Sequence, residues 1–414
     1  MSSISMVGEA SALTPLSDSG NHAARGIWLA KFRHRLHRME DGLIAVVLMA
    51  MVVLPLAEIL LRSTLRVGIA SNAIIVQHLT LIVGMLGGAI AARESRLLAL
   101  FGFQESRSAE QARGAARAFT GVAAASISLL LAVAGFQFVR VERLAGGTLA
   151  GGIPRWVIET ALPAGFCAIA ARAIVRLEGR PAMRGLLLAG AAGLVALAAW
   201  LGPSPIALVL GVVLLAASTL LGLPAFAVLG GVSLLSFWSL GQPLASIAVS
   251  HYSLATNPML PSIPLFTLAG YFLAESRAPH RLVRVFYAMF GSMRGGPAVV
   301  TVLVCAFFTS FTGASGVTIL ALGGLLMPVL LESGYSEKDA LGLVTGAGAL
   351  GILLPPCLPL ILYAIVARIP VQQMFLAGLL PACLLMAATA GWGILRGRKL
   401  NLPRRPFVWR EARE

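Results

Sequence analysis

Residues 186–274 contain no Asp, Glu, Lys or Arg. A water-soluble domain cannot leave so long a stretch uncharged, because its surface must carry polar and charged groups. Lipid removes that need but imposes another. It offers the backbone no hydrogen-bond partners, so every crossing must close its own bonds within a helix or a barrel. The segments 297–331 and 340–367 are equally free of charge. The apolar runs are about 20 residues long and lack the ten-residue alternation of barrel strands, which selects helices. Composition agrees: 58% of the 414 residues are hydrophobic, 12% are charged and the mean hydropathy is +0.87. The fold class expected is an all-α polytopic membrane protein. Ten spans are expected, near 43–61, 73–92, 119–139, 157–175, 186–201, 205–220, 224–240, 262–275, 340–366 and 371–395. One re-entrant helical hairpin is expected at 297–331.

The net charge of +15 resides in the connectors between apolar runs. No basic helix with interleaved aromatics accompanies it, so it reads as a topology signal and not as a nucleic-acid footprint. With 297–331 entering and leaving on one side, 26 of the 32 Lys and Arg fall on one face. The other face holds Arg62, Arg66, Arg140, Arg143, Arg155 and Arg368. That bias places both termini in the cytoplasm. The first segment is polar for about 25 residues and then basic, so the first apolar run reads as an uncleaved span and not a signal peptide. Cys167, Cys305, Cys357 and Cys383 lie in apolar runs without a CxxC pair, and read as small core residues. No Walker A motif occurs, and no enzymatic activity is expected.

The stretch GALGILLPPCLPLILYA, residues 348–364, breaks the pattern of a regular span. A proline lacks an N–H and clashes with the carbonyl four residues back. Pro355, Pro356 and Pro359 therefore release the carbonyls of Gly351, Ile352 and Pro355. Such backbone persists in a membrane where it lines a cavity or holds an ion. The hairpin supplies a complement. Thr309, Ser310, Thr312, Ser315 and Thr318 offer hydroxyls, and Gly313 and Gly316 permit a sharp turn. Hydroxyls and carbonyls suit a hard cation such as sodium, whereas a proton relay needs a carboxylate or histidine that these uncharged spans lack. A small-residue cluster alone is ordinary helix packing, and a proline alone is an ordinary kink. Adjacent prolines and a Ser/Thr/Gly hairpin in one uncharged region favour the ion site.

Residues 262–395 resemble the large membrane subunit of tripartite ATP-independent periplasmic (TRAP) transporters. The resemblance rests on SIPLFTLAGYFLAES, FTGASGVTILALGGLLMPVLLESGYSEKDA, GILLPPCLPLILYA and FLAGLLPACLL, with LGLPAFAVLGGVSLL at 221–235 as the subunit's opening. Residues 40–178 are similar to the small membrane subunit, through Arg62, the pair Arg93 and Arg96, and the stretch from Ile153 to Phe166. The organisation that follows is a cytoplasmic segment at 1–42, a four-helix small-subunit-like domain at 43–180, a joining helix within 181–202, and the first half of a large permease subunit at 203–414.

The resemblance implies a sodium-coupled importer of organic acids, dicarboxylates among them, in the bacterial inner membrane. A periplasmic substrate-binding protein delivers the substrate, the large subunit moves as an elevator, and the small subunit is scaffold. It implies a sodium site at Thr312, Ser315, Gly351, Leu354 and Pro356, with sodium as the coupling ion and no other cofactor. The nearest substrate candidates are Gly313, Ala314 and Ser315. The sequence departs from the family at the hairpin tip, Thr312-Gly313-Ala314 in place of a Ser–Gly–Ser type, and at Thr318, where an Asp is usual. Gln77 stands where an acidic residue is frequent. The family's large subunit is an inverted repeat about twice the length of 203–414, so a polypeptide supplying the second half is expected as a partner. The rival reading is a truncated, non-transporting remnant or membrane scaffold. A different sodium-coupled anion carrier would leave the four-span front part unexplained.

Several charged residues have plainer expectations. Glu58 pairs with Arg62 and Glu159 with Arg155 near span ends. His78 is hydrogen-bonded inside a helix bundle, and His251 lies outside the spans.

Overall fold

A computed structural model describes residues 18–69, 71–99, 110–149, 152–175, 202, 204–293 and 295–399, with the isolated positions 185 and 189. The helix expected at 186–201 therefore lies outside the described residues apart from position 189. All regular structure among the described residues is helical. Helices α1 (Asp18–Thr64), α2 (Asn72–Glu94) and α3 (Glu110–Ala145) are followed by the short α4 (Arg155–Glu159) and α5 (Ala161–Val175). Then come α6 (Pro205–Leu220), α7 (Ala225–Ser239), α8 (Ala245–Ala255), α9 (Ser262–Glu275) and α10 (Ala278–Phe290). The last group is α11 (Gly296–Thr312), α12 (Ser315–Glu332), α13 (Glu337–Leu350), α14 (Leu358–Ala367) and α15 (Val371–Lys399).

Seven segments are long and apolar enough to cross a membrane: His34–Thr64, Asn72–Glu94, Ala116–Ala145, Arg155–Val175, Ser315–Glu332, Glu337–Ala367 and Val371–Lys399. Three other expected spans, α6, α7 and α9, form helices of 16, 15 and 14 residues. At 1.5 Å per residue they are about 21–24 Å long, shorter than a hydrocarbon core of about 30 Å.

Local signals explain several boundaries. The Ser204 hydroxyl accepts from the Ala207 N–H at 3.2 Å, and Pro205 occupies the first position of α6. The Ser336 hydroxyl accepts from the Asp339 N–H at 3.2 Å and caps α13. Gly313, in the left-handed region at φ 65°, ends α11 and donates its N–H to the Thr309 carbonyl at 2.8 Å.

The apolar residues gather into two cores. The first joins Leu81, Met85, Phe138, Leu162 and Phe166 of the front helices with Ala227, Leu234, Ile247 and Ala248 of α7 and α8. The second joins α10 to α13 through Val283, Val300, Phe308, Leu326 and Leu343, with Met386 and Ala390 of α15 packed against it. Packing thus groups α7 and α8 with the front helices, although sequence similarity assigns both to the permease part. A short link reinforces this: the Ala225 N–H donates to the Leu98 carbonyl at 2.8 Å.

At one end of the front bundle, Glu40 of α1 receives Arg93 of α2 at 3.2 Å and also pairs with Arg172 of α5. Asp41 takes the other arm of Arg93 at 2.6 Å. At the far end of α1, Glu58 pairs with Arg62 at 2.5 Å, as expected, and accepts the Ile69 N–H at 2.7 Å. The Glu159 expectation fails. Arg155 approaches Glu142 instead, at 3.8 Å, because Glu159 at the end of α4 points into the bundle and is fully buried.

Candidate functional site

The hairpin forms from two arms of 17 and 18 residues joined by Gly313 and Ala314. Both outer ends of the pair meet one end of α15. A methyl on Gly295, just before the first arm, would lie 2.7 Å from the Ile394 Cα. Tyr335, just after the second arm, donates its hydroxyl to the Gly393 carbonyl at 2.9 Å. Arg396 of α15 reaches Asp339 at 2.8 Å, so α13 starts at that same end. The two arms therefore run antiparallel, with both outer ends beside the same end of α15.

The tip meets the proline break. Residues 337–367 do not form one helix: α13 passes into a 3-10 turn at Gly351–Leu353, the chain is extended at Leu354, and α14 begins at Leu358. The Pro355–Pro356 bond is cis. After 14 residues of α13 the break lies about 21 Å from the start of that helix. Gly351 abuts the first arm: a methyl there would lie 2.3 Å from the Ala306 carbonyl oxygen and 2.8 Å from the Ser310 nitrogen. Gly313 faces Leu358, and Gly270 of α9 faces the Phe311 carbonyl and the Thr312 nitrogen. Thr309, fully buried, donates its hydroxyl to the Gly348 carbonyl at 2.9 Å. Thr309 is one of the hydroxyls the hairpin sequence offers, but its bond across to α13 has no signature in the sequence.

The oxygens at the break differ from expectation in one respect. The Gly351 carbonyl, expected to lose its partner to Pro355, accepts from the Leu354 N–H at 3.1 Å, because the 3-10 turn supplies a donor one residue earlier. The Leu354 carbonyl accepts from the Cys357 N–H at 3.0 Å. Each carbonyl oxygen retains a second lone pair. The Ile352 and Pro355 carbonyls accept no backbone hydrogen bond among the described residues.

At the tip, Thr312 is buried and its hydroxyl is 3.0 Å from that of Thr318. Thr318 also reaches the Ala314 carbonyl at 3.4 Å. Ser315 is half-buried, and no hydrogen bond engages its hydroxyl among the described residues. Ala314 provides no side-chain cap, so the first N–H groups of α12 open at the tip beside Gly313. Hydroxyls, carbonyls and helix-end N–H groups converge here. No cluster of three His, Cys, Asp or Glu exists among the described residues.

An apolar cavity of about 560 Å³ lies elsewhere, lined by Leu48, Thr80, Gly84, Met85, His251 and Tyr271 with other residues of α1, α2, α8 and α9. It includes no residue of the tip or the break. His251 borders it and meets the Phe166 ring edge-on at 5.7 Å. His78 is held inside the bundle as expected, with Nδ1 2.7 Å from the Ile74 carbonyl and Nε2 2.8 Å from the Tyr252 hydroxyl.

Comparison with known proteins gives a consistent result. Residues 51–180 match the family model of the DctQ component of tripartite ATP-independent periplasmic transporters. Residues 212–413 match that of the DctM component. A C4-dicarboxylate TRAP transporter large permease protein of Vibrio cholerae is 35% identical over 198 residues, covering 47% of this chain and 43% of the relative. Its counterpart in Rhodobacter capsulatus is 30% identical over 206 residues, covering 46% and 47%. An isethionate TRAP transporter permease of Oleidesulfovibrio alaskensis, named DctMQ, is 30% identical over 184 residues, covering 43% and 29%. The chain spans less than half the length of each of these relatives.

Proposed function

The chain belongs to the membrane components of tripartite ATP-independent periplasmic transporters, with a DctQ-type and a DctM-type region in one multi-pass polypeptide, and we propose that it serves a sodium-coupled secondary importer of organic acids. The substrate class follows the C4-dicarboxylate names of the first relatives. A periplasmic binding protein delivers the substrate. The remainder of the large permease, on this or another polypeptide, completes the substrate cavity at the repeat interface. The membrane is the bacterial inner membrane, both termini face the cytoplasm, and 297–331 re-enters from that side.

The observation that carries this reading is the seating of the hairpin tip against the proline break. Two discontinuous helices meet there at oxygen-bearing backbone without any carboxylate. Sodium would be held by the hydroxyls of Thr312 and Ser315 and the carbonyls of Gly351, Leu354 and Pro356. The N–H groups around Gly313, Ala314 and Ser315 would face a carboxylate of the substrate. The two apolar cores suit an elevator in which the hairpin body slides against a scaffold of front helices with α7 and α8.

The test is uptake into proteoliposomes holding this chain, the rest of the large permease and the binding protein. An inward sodium gradient should drive dicarboxylate accumulation, and replacing sodium with potassium should abolish it. Accumulation driven by a proton gradient without sodium would refute the coupling. No uptake from the complete assembly would favour the non-transporting reading.

A further inference from the structure

Helix α10 has two unlike faces. On one, Val283 is buried and Leu282, Phe286 and Phe290 pack against the hairpin core. The other carries Arg277, Arg281 and Arg284, all exposed. Arg277 sits at the N-cap, and spacings of four and three residues put the three on one row, rising about 10 Å along the axis. Like charges at that spacing repel one another. Elsewhere Arg62, Arg93, Arg155, Arg172 and Arg396 pair with carboxylates of this chain. The α10 row does not. Among the described residues, no ion pair or side-chain hydrogen bond engages Arg277, Arg281 or Arg284. Glu275, the acid nearest in sequence, is exposed and pairs with none of them.

The surroundings of the row indicate what compensates it. Val285 and Met289 form the adjacent row and are 44% and 56% exposed, so bare apolar surface flanks the charges. The helix is held stiffly to the hairpin, because a methyl on Gly291 or Gly296 would collide with the carbonyl oxygens of Tyr287 and Phe290. That turn lies against Ile394, two residues before Arg396 in the basic last turn of the membrane-spanning segment Val371–Lys399. The C-terminal end of α10 therefore lies where a span leaves the membrane.

We propose that Arg277, Arg281 and Arg284 form a phosphate-binding row for anionic phospholipid, with Val285 and Met289 lying against the acyl chains. A guanidinium donates two parallel hydrogen bonds to a phosphodiester, and three in a row neutralise charge that the chain leaves unpaired. A basic face beside an apolar one is the geometry of a helix lying in the headgroup region. A soluble phosphate would satisfy the arginines but leave the apolar row in water, so the lipid is the better occupant. A headgroup bearing its own ammonium already compensates its phosphate and binds less tightly.

Native mass spectrometry of the full purified chain in neutral detergent tests this, with phosphatidylglycerol, phosphatidylcholine and inorganic phosphate as probes. Wild type should retain phosphatidylglycerol in preference to phosphatidylcholine. Changing Arg277, Arg281 and Arg284 together to Gln should weaken phosphatidylglycerol binding about a hundredfold, about fivefold (about 1 kcal/mol) for each charge. Lysine at the same three positions keeps the charge and should restore most of the affinity. The three side chains are exposed, so the thermal midpoint of the Gln variant in lipid-free detergent should match wild type. Arg117→Gln combined with Arg140→Gln, at two exposed positions of α3, should leave lipid binding unchanged. Equal retention of the two lipids would overturn the proposal. So would unchanged binding in the Gln variant, or an equal loss in the α3 variant, which would report net charge alone. Inorganic phosphate binding as tightly as phosphatidylglycerol would mark a soluble-anion site and overturn the lipid assignment.

Discussion

Replacing Gly351 with alanine should pry the proline break away from the hairpin. The added methyl would lie 2.3 Å from the Ala306 carbonyl oxygen, 2.5 Å from the Thr309 Cβ and 2.8 Å from the Ser310 nitrogen. Two of those atoms are backbone within a buried helix and cannot rotate aside. Restoring ordinary contact requires the two segments to part by about 1 Å, and overpacking of this kind costs about 1–3 kcal/mol. Parting also stretches the 2.9 Å bond from Thr309 to the Gly348 carbonyl. That bond contributes about 1 kcal/mol more. The expected loss is therefore about 2–4 kcal/mol. Gly346→Ala is the control, because nothing lies within 4 Å of its added methyl. As an exposed helical position it should gain up to about 1 kcal/mol. Reversible unfolding of the purified chain in mixed micelles reads both. If Gly351→Ala unfolds within about 0.5 kcal/mol of wild type, the tight seating of break on hairpin is refuted.

Two further substitutions probe how the bundles are held. Thr309→Val keeps the side-chain shape but removes the donor to Gly348, and should cost about 1 kcal/mol in the same unfolding assay. Glu40→Gln leaves Arg93 and Arg172 facing an uncharged amide at side chains only 12% and 17% exposed. A loss of about 1–2 kcal/mol is expected, less than for a fully buried pair. Arg62→Ala should leave the unfolding midpoint unchanged, since that side chain is 70% exposed.

The break and the hairpin were readable because proline and glycine act on the local backbone. Pro355 and Pro356 forbid a continuous helix at any packing, and Gly313 supplies the left-handed turn where the second arm begins. What escaped depended on neighbours. Arg281 and Arg284 interrupt the uncharged pattern over helix α10, although Leu282, Val283, Phe286, Tyr287 and Phe290 recur at helical spacing. Helix α8 was hidden by its length of 11 residues and by His251, Tyr252 and its serines. The position of Arg155 and Glu159 near a span end suggested an ion pair, but burial of Glu159 decided otherwise. The Gly351 carbonyl was released by Pro355 and then recaptured by the Leu354 N–H, an outcome set by the 3-10 turn and not by residue identity.

Ser315 offers the cleanest probe of the proposed ion site, because no hydrogen bond engages its hydroxyl among the described residues. The decisive measurement is the sodium concentration giving half-maximal dicarboxylate uptake in the complete reconstituted assembly, for wild type and Ser315→Ala. Loss of one oxygen ligand worth about 1.4 kcal/mol raises that concentration about tenfold, with maximal uptake preserved at saturating sodium. An unchanged sodium dependence in Ser315→Ala would contradict the assignment of the hairpin tip as the sodium site.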